Sequence, residues 1–406
     1  MLAAAAQMQA LTMDRAAEVW PVVEHLAAEA RRRGADLLVF PEATYPAYHL
    51  ESVERYRRPD ILRTEAVLDR FAALAAAGRL WLVAGLVEEA ADRLYNSAAV
   101  FDRTGRLLGL ARKHFLWDGD HEWFTRGDTP AVFDTEWGRM GVLICADARA
   151  PEIPASLAHL GARFIAQPTA WVNTAAEPGA AYNIQPEFLI EARAAEFGVP
   201  FVCADKSGRE GDALEYVGRS RIVDAAGRLL AEAGPTGGEL ILAELSPASP
   251  RPLRLSERCR ARLREGPHPT TRPGAGRRLE LALPCSMEVL AASLTAAQAR
   301  IGRITAEELL GFAPSRCLAL DGAQVLLVEG DGARVPFARA RAAENRVYVL
   351  AGGEQCHLVV SPDGRILWNR GDGPAAVALN LAEADVKQFN PRTHLWAERD
   401  PAFFRL

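Results

Sequence analysis

The stretch GRMGVLICADARAPEIPASLAHLGARFIAQPTAW, residues 138–171, has the pattern of a strand, a helix and a second strand. Residues 140–144 form a short apolar run, typical of a strand that is buried on both faces, and residues 163–167 form another. Between them, apolar residues recur at helical spacing over 151–160. Cys145 directly follows the first strand. The sequence therefore predicts a thiol in the strand-to-helix crevice where open α/β sheets bind ligands.

Cys145 has two interpretations. As a nucleophile, it would use backbone amides after the sharp strand end to receive an oxyanion and to help hold a thiolate. As a core residue, it would be a small buried hydrophobe, and this is the commoner place for a cysteine considered alone. Cys145 alone does not distinguish a nucleophile from a core residue, so the distinction depends on residues elsewhere in the chain.

The composition is that of an ordinary globular protein. The chain has 406 residues, of which 49% are hydrophobic and 24% charged, so there is room for two or three domains. A net charge of -5 gives no reason to expect a nucleic-acid partner. The six cysteines contain no CxxC pair, which argues against a zinc site and against a disulfide framework and favours the cytoplasm. No membrane segment and no signal peptide are predicted.

Two ionisable residues also follow predicted strands. Residues 35–40, ADLLVF, form an apolar strand that leads into Glu42, and a later strand leads into Lys113. Alone, Glu42 could be a loop acid and Lys113 a surface cation. The loop RKHFLWDGDHEWFTRGD around Lys113 is dense in ionisable and aromatic residues, which is typical of an active-site loop. Within it, Glu122 could also be a surface charge, and His114 is expected only to be a satisfied polar group.

Together, Glu42, Lys113 and Cys145 resemble the catalytic residues of the nitrilase superfamily of carbon-nitrogen hydrolases. The matching motifs are FPE at 40–42, RKH at 112–114, EWFTRG at 122–127, GVLICADARAPE at 141–152, EARAAEFGVPFVCADKSG at 191–208 and GRSRIVDAAGRLLAEAG at 218–234. The resemblance covers about the first 275 residues. It implies an α/β fold, a four-layer αββα sandwich, with neither a metal ion nor an organic cofactor.

The resemblance also implies a role for each residue. Amide hydrolysis needs a nucleophile stronger than water, which the Cys145 thiol becomes when a base removes its proton. Glu42 would be that base, and Lys113 would stabilise the oxyanion together with the backbone amide of Ala146. Glu122, the match to the second glutamate of the family, would position Lys113 and the substrate.

The residues after Cys145 bear on the substrate. The sequence ADAR at 146–149 is similar to the CYDxR pattern of amidases, with alanine where an aromatic residue is common. Nitrilases of the family more often have Trp and Glu there, so a small linear amide or N-carbamoyl compound is favoured over a nitrile. The pocket is expected to include Trp117, Trp171, Asn173 and Tyr182, although pocket and core aromatics look alike in a sequence.

The end of the chain contains an internal repeat. ARAAENRVYVLAGG at 340–353 parallels ARAAEFGVPFVCAD at 192–205, and VSPDGRILWNRG at 360–371 parallels VDAAGRLLAEAG at 223–234. Aligning 313–330 with 153–170 puts Cys317 opposite Leu157, and a backward extension shifted by one residue, which pairs Gly302 with Gly141, puts Ala306 opposite Cys145. We therefore predict a catalytic domain over 1–275, a linker within 246–278, and a degenerate, truncated half-domain over 279–406 that lacks catalytic residues.

Several functional classes stay open at this point. The first is an amidase that forms a thioester on Cys145, and nitrile hydrolysis by the same three residues is its variant. The others are a non-catalytic binding or regulatory protein and an acyltransferase. Retention of Glu42, Lys113, Cys145 and Glu122 favours the enzyme. A homo-oligomer is possible, and the half-domain could instead dock on the catalytic domain as an intramolecular pseudo-dimer partner.

Overall fold

The computed structural model describes residues 1–175, 177, 179–253, 255–265 and 278–405. Two compact units are present: Met1–Leu253 with Phe403–Leu406, and Arg254–Ala402. The second unit therefore begins earlier than the predicted boundary at 275–279. It does so because the helix α7 (Glu257–Arg264) packs on α9 (Phe312–Leu320), where Arg262 Nε donates to Asp321 Oδ1 at 2.7 Å. Part of the predicted linker, 266–277, lies outside the described residues.

The first unit is built from two sheets. Its strands are β1 (Leu2–Gln9), β2 (Leu37–Val39), β3 (Trp81–Ala90), β4 (Arg93–Phe101), β5 (Leu107–Arg112), β6 (Ala131–Thr135), β7 (Gly138–Val142), β8 (Phe164–Pro168), β9 (Phe201–Ala204), β10 (Lys206–Glu210), β11 (Leu214–Val217), β12 (Arg221–Val223), β13 (Leu229–Glu232) and β14 (Glu239–Glu244). Its helices are α1 (Val19–Arg32), α2 (Val53–Tyr56), α3 (Thr64–Gly78), α4 (Asp120–Trp123), α5 (Glu152–His159) and α6 (Ile190–Phe197).

The sheets and helices of the first unit form four layers. One sheet has the order β11-β10-β1-β2-β3-β4-β5, with β14 paired to β1, and the other has the order β13-β12-β9-β8-β7-β6. They face each other through β1 with β9 and β3 with β8, while α1 and α3 contact the first sheet and α5 and α6 the second. Residues 3–6, four alanines in β1, are fully buried. Small side chains suit a central strand that packs against a second sheet. This arrangement confirms the predicted α/β class and αββα sandwich.

The second unit contains a smaller mixed sheet. Its strands are β15 (Arg278–Leu283), β16 (Ile301–Thr305), β17 (Val325–Glu329), β18 (Tyr348–Gly352), β19 (Cys356–Val360), β20 (Ile366–Asn369) and β21 (Ala375–Asn380). Its helices are α7, α8 (Met287–Ala296), α9 and α10 (Val335–Asn345). The main sheet has the order β16-β17-β18-β19-β20, and β15 pairs with β21. No helix in the described part of the chain is both long and apolar enough to cross a membrane.

The main sheet of the second unit has the same connectivity as part of the first. Strands β16, β17 and β18 are parallel and are followed by two antiparallel strands, as are β7, β8, β9, β12 and β13. Gly161 and Gly322, both with φ near 90°, follow the helices α5 and α9. Matching these glycines puts Cys317 opposite Ser156. The predicted match of Cys317 to Leu157 differs from this by one residue, because the sequence alignment did not bring the two left-handed glycines together.

Candidate active site

Cys145 lies in the short turn between β7 and α5. Its φ is 45°, in the left-handed region that costs free energy for any residue other than glycine. The side chain is buried, with Sγ 3.6 Å from the carbonyl oxygen of Ala170, and the Gln167 side chain donates to the Cys145 carbonyl at 3.0 Å. The turn therefore holds the thiol at the carboxyl end of β7 in a defined orientation.

Glu42 lies in the turn after β2, which is held against the neighbouring strand β3. Gly85 of β3 donates its N–H to the Pro41 carbonyl at 3.1 Å. A Cβ atom at Gly85 would lie 2.2 Å from the Pro41 oxygen, so only glycine permits this approach. The Glu42 N–H also donates to the Thr169 carbonyl at 3.2 Å, which fixes the turn beside the end of β8.

Lys113 joins two carboxylates in the interior. Its Nζ lies 2.6 Å from Glu42 Oε1 and 2.6 Å from Asp120 Oδ2, and all three side chains are completely buried. Asn96 Nδ2 also donates to Glu42 Oε1, at 2.7 Å. Glu42 Oε2 is buried and has no hydrogen-bond partner within the described part of the chain. The second oxygen of Glu42 is therefore available to exchange a proton.

The carboxylate beside Lys113 belongs to Asp120, whereas the sequence had suggested Glu122. Both residues lie on α4, but Asp120 faces inwards and Glu122 is exposed. Positions i and i+2 of a helix point in different directions, so the two side chains have different surroundings. The backbone N–H of Trp117 donates to Asp120 Oδ2 at 2.8 Å and helps to orient the carboxylate.

The charges of these groups control their protonation. Burial raises the pKa of Glu42 above its ordinary value, although the Lys113 ammonium opposes the rise. Burial alone would lower the pKa of Lys113, but the Asp120 and Glu42 carboxylates outweigh it and the pKa is raised. Burial raises the pKa of the Cys145 thiol and the Glu42 charge adds to the rise, against the effect of Lys113. These effects favour the thiol over the thiolate form of Cys145.

Asp147, whose role was not predicted from the sequence, connects the cysteine turn to the lysine loop. Its Oδ1 accepts from the backbone N–H groups of His114 at 3.1 Å and Phe115 at 2.7 Å, and its Oδ2 accepts from Ile144 N–H at 2.8 Å. Burial raises the pKa of Asp147 to about 6, against the effect of these amide donors. Its place two residues after Cys145 was the one available signal. Its side chain ties the neighbours of Lys113 and Cys145 together.

Two glutamine side chains also surround the nucleophile. Gln185 Nε2 lies 3.9 Å from Cys145 Sγ, and Gln167 Nε2 donates to Gln185 Oε1 at 3.0 Å. Both side chains are buried. Gln185 lies at the start of the helical segment leading to α6, forty residues beyond Cys145 in sequence. The contact therefore depends on the tertiary fold, and no local motif signals it.

The predicted substrate-binding residues have different environments. Ala146 is buried directly after Cys145, and the ring of Trp117 stacks on the Arg149 guanidinium, whose Cζ lies 4.1 Å from the ring centroid. Trp171 is fully buried next to Ala170. The Asn173 side chain binds the backbone of Tyr182 in the same loop, because its Oδ1 accepts from Tyr182 N–H at 3.0 Å. That these residues line a pocket stays a prediction.

Across the described ranges, no group of three His, Cys, Asp or Glu side chains is arranged to hold a metal ion. Close to Cys145, the Lys113 cation lies between the Glu42 and Asp120 carboxylates. This arrangement can remove a thiol proton and stabilise a negative charge near the sulfur.

The chain is similar to known hydrolases over its first unit. The family model described as carbon-nitrogen hydrolase matches residues 2–255. A nitrilase of Pyrococcus abyssi is 33% identical over 55% of this chain and 81% of that protein. An omega-amidase of Saccharomyces cerevisiae is 29% identical over 52% of this chain and 75% of its own length, and an N-carbamoylputrescine amidase of Arabidopsis thaliana is 26% identical over 54% and 79%.

Solved structures give the same result. The crystal structure of an amidase from Nesterenkonia sp. is 26% identical, covers 61% of this chain and 91% of that one, and has a TM-score of 0.54. A glutamate-to-glutamine variant of that amidase carries the product of Michael addition of acrylamide at its active-site cysteine, with 25% identity and a TM-score of 0.53 over 61% and 94% of the two chains. With a family model matched from residue 2 to 255, this chain belongs to the carbon-nitrogen hydrolase family.

Proposed function

We propose that the first unit hydrolyses a small linear amide or an N-carbamoyl compound through a thioester on Cys145, and releases ammonia or an amine. The observation that carries this proposal is the buried pair of Glu42 and Lys113, 2.6 Å apart, beside a cysteine in a left-handed turn. The similarity to amidases and to N-carbamoylputrescine amidases supports this bond type.

In the first half of the reaction, Cys145 Sγ attacks the carbonyl carbon while Glu42 takes the thiol proton. Glu42 Oε2 suits this step, since its other oxygen is already bound by Lys113 and Asn96. The carbonyl oxygen becomes an oxyanion, which Lys113 and the Ala146 amide stabilise. Glu42 then donates its proton to the leaving nitrogen, and the acyl group stays on sulfur.

In the second half, Glu42 removes a proton from water, which attacks the thioester. The carboxylic acid product leaves, and Glu42 returns the proton to the Cys145 sulfur. Asp120 keeps the Lys113 cation in place through both halves, because a lysine between two carboxylates keeps its charge when one of them becomes protonated. Asp120 thus takes the positioning role that the sequence had given to Glu122.

Nitrile hydrolysis is the second candidate, because the same nucleophile and base can attack a nitrile carbon and the Pyrococcus relative is a nitrilase. A purely binding protein is less consistent with the site. Burying Lys113, Glu42 and Asp120 costs free energy through the desolvation of three ionisable groups. The ion pairs offset part of this cost, but a protein that only binds would not use the base and the cation that they place beside the thiol.

Intact-protein mass spectrometry tests the proposal. The full-length protein is mixed with separate sets of linear amides, ureido acids and nitriles and quenched in acid after milliseconds to seconds, and Cys145→Ala is the matched control. We expect an acyl adduct on Cys145 and release of ammonia or amine with members of the amide or ureido set. Adducts and turnover with nitriles alone would support the second candidate, and no adduct or product from any set would refute both.

We also propose that residues 279–406 are a degenerate second copy, as the shared strand order supports. The matched arginines of α6 and α10 make the same contact: Arg193 Nε donates to the Ala148 carbonyl at 2.9 Å, and Arg341 Nε donates to the Leu309 carbonyl at 3.0 Å. These carbonyls lie three residues after Cys145 and Ala306 respectively. The second copy thus keeps the arginine support of the turn without the nucleophile.

Three further expectations stay predictions: the cytoplasmic location, a homo-oligomer, and docking of the half-domain as a pseudo-dimer partner. Light scattering at several concentrations distinguishes the last two. A monomeric full-length chain that becomes dimeric when residues 279–406 are removed would support the pseudo-dimer. A chain that stays monomeric in both forms, with an unchanged rate, would exclude it.

A further inference from the structure

The last residues of the chain belong to the first unit, although they follow the second unit in sequence. We call Phe403–Arg405 the C-terminal segment. Its Phe403 ring stacks on the His114 ring, with the centroids 3.7 Å apart and the planes at 28°. Both side chains are almost completely buried, with exposed fractions of 3% for Phe403 and 1% for His114. The segment therefore packs against the residue next to Lys113.

The C-terminal segment also contacts the helix that follows the nucleophile. The Arg405 backbone N–H donates to Ser156 Oγ at 2.9 Å. Ser156 lies on α5, and its hydroxyl donates to the Glu152 carbonyl at 2.7 Å. Since α5 follows the Cys145 turn directly, the segment bridges the two parts of the chain that carry Lys113 and Cys145.

His114 connects this packing to the catalytic groups. Its backbone N–H donates to Asp147 Oδ1 at 3.1 Å, and its ring Nδ1 lies 2.7 Å from the Gly127 carbonyl oxygen. The Gly127 N–H in turn donates to the Lys113 carbonyl at 2.8 Å. These hydrogen bonds fix the position of the His114 backbone and of one edge of its ring, and Phe403 covers a face of the same ring. The position of the Lys113 backbone thus depends on His114 being held.

We propose that Phe403 is a positioning residue for the catalytic centre, which clamps His114 so that Lys113 stays between Glu42 and Asp120. The inference rests on the proposed function, because it treats Lys113 as the group that stabilises the oxyanion. Its physical basis is the sensitivity of catalysis to geometry: a misplacement of about 1 Å can cost roughly 10²-fold in rate. Phe403 does this without touching the reacting atoms.

The test compares ring variants of the full-length protein. Phe403→Leu keeps an apolar side chain but loses the stacking, and Phe403→Tyr keeps the ring. Phe404→Leu is the matched control, because Phe404 is half-buried and meets Phe403 edge-on, with ring centroids 6.3 Å apart. The measurements are kcat and KM for an amide substrate, the pH dependence of kcat, and the rate at which iodoacetamide alkylates Cys145.

We expect Phe403→Leu to lower kcat at least tenfold while KM changes less than twofold, and to slow the alkylation of Cys145 at least threefold. The acid limb of its kcat profile should shift, because Lys113 moves relative to Glu42. Phe403→Tyr should keep kcat within threefold of the wild type, and Phe404→Leu within twofold. Circular dichroism checks folding. If Phe403→Leu does not fold, Phe403→Met takes its place with the same expected losses.

Three outcomes would overturn the positioning role. They are a kcat of Phe403→Leu within twofold of the wild type, equal losses in Phe403→Leu and Phe404→Leu, or a Phe403→Tyr variant as slow as Phe403→Leu. The alkylation rate separates this inference from the proposed function, because it needs no substrate. Slower alkylation in Phe403→Leu alone, with a wild type that hydrolyses no amide or nitrile, would support the positioning role and refute the proposed function.

Discussion

Replacing Asp120 by asparagine tests the corrected site most directly, with Glu122→Gln as the matched control two residues away on the same helix. Asp120 Oδ2 lies 2.6 Å from Lys113 Nζ and the pair is fully buried, whereas Glu122 is exposed. A hydrogen bond to a charged group contributes about 1.5 to 3 kcal/mol. If Asp120→Asn loses that amount in the transition state, kcat/KM should fall roughly 10- to 150-fold, at about 1.36 kcal/mol for each factor of ten.

The pH dependence adds a readout that a general loss of stability would not produce. The Asp120 charge contributes to the raised pKa of Glu42. Asp120→Asn should therefore move the acid limb of the kcat/KM profile to lower pH, because Glu42 loses its proton more easily. Glu122→Gln should change neither the rate by more than threefold nor the profile. Equal effects of the two variants, or a larger effect of Glu122→Gln, would refute the assignment of Asp120.

Three more predictions concern the nucleophile, the base and the turn that holds the base. Cys145→Ala should lower turnover by several orders of magnitude in a steady-state assay, and adding Glu42→Gln should cost little more, because the groups act as a unit. The raised pKa of Glu42 means that its proton stabilises the folded state fully below about pH 4.5 and that this contribution is lost as pH rises through the folded pKa. Glu42→Gln mimics the protonated form at every pH. The melting temperature of this variant should therefore rise relative to that of the wild type as pH increases, and a difference between the two that does not change with pH would contradict this prediction. Gly85→Ala should lower melting temperature and activity, because its Cβ would lie 2.2 Å from the Pro41 oxygen, whereas Gly234→Ala, with its nearest contact at 3.9 Å, should be nearly neutral.

The sequence was informative where each residue follows its own strand. Residues 37–39 and 107–112 form strands, and Glu42 and Lys113 follow them as predicted. Cys145 follows β7, which ends at Val142, slightly before the predicted 144. A buried strand and a polar residue at its end are both local features, so a single sequence can reveal them. That Glu42, Lys113 and Cys145 lie close together depends on the tertiary fold, which local patterns do not reveal. The resemblance to a family predicted this proximity before the structure was known.

The sequence does not decide between two residues that compete for one contact. Asp120 and Glu122 lie in the same polar loop, and only the orientation of the short helix α4 decides which carboxylate faces Lys113. Gln185 and Phe403 were missed for another reason. Their contacts with Cys145 and His114 join segments that are far apart in the chain, and nothing in the local pattern of either residue signals a partner.

The turns at Cys145 and Ala306 have similar support from the fold but different backbone conformations. Arg193 and Arg341 make matching contacts to the turns after Cys145 and Ala306, so both turns are supported in the same way. Cys145 nevertheless has a φ of 45°, while Ala306 is not among the non-glycine residues of the described chain with positive φ. The arginine contact is therefore compatible with a relaxed turn, and the fold alone does not require the left-handed conformation. Of these two turns, only the one whose thiol lies near Glu42 and Lys113 has the left-handed residue, which is what we expect if its cost is retained for catalysis.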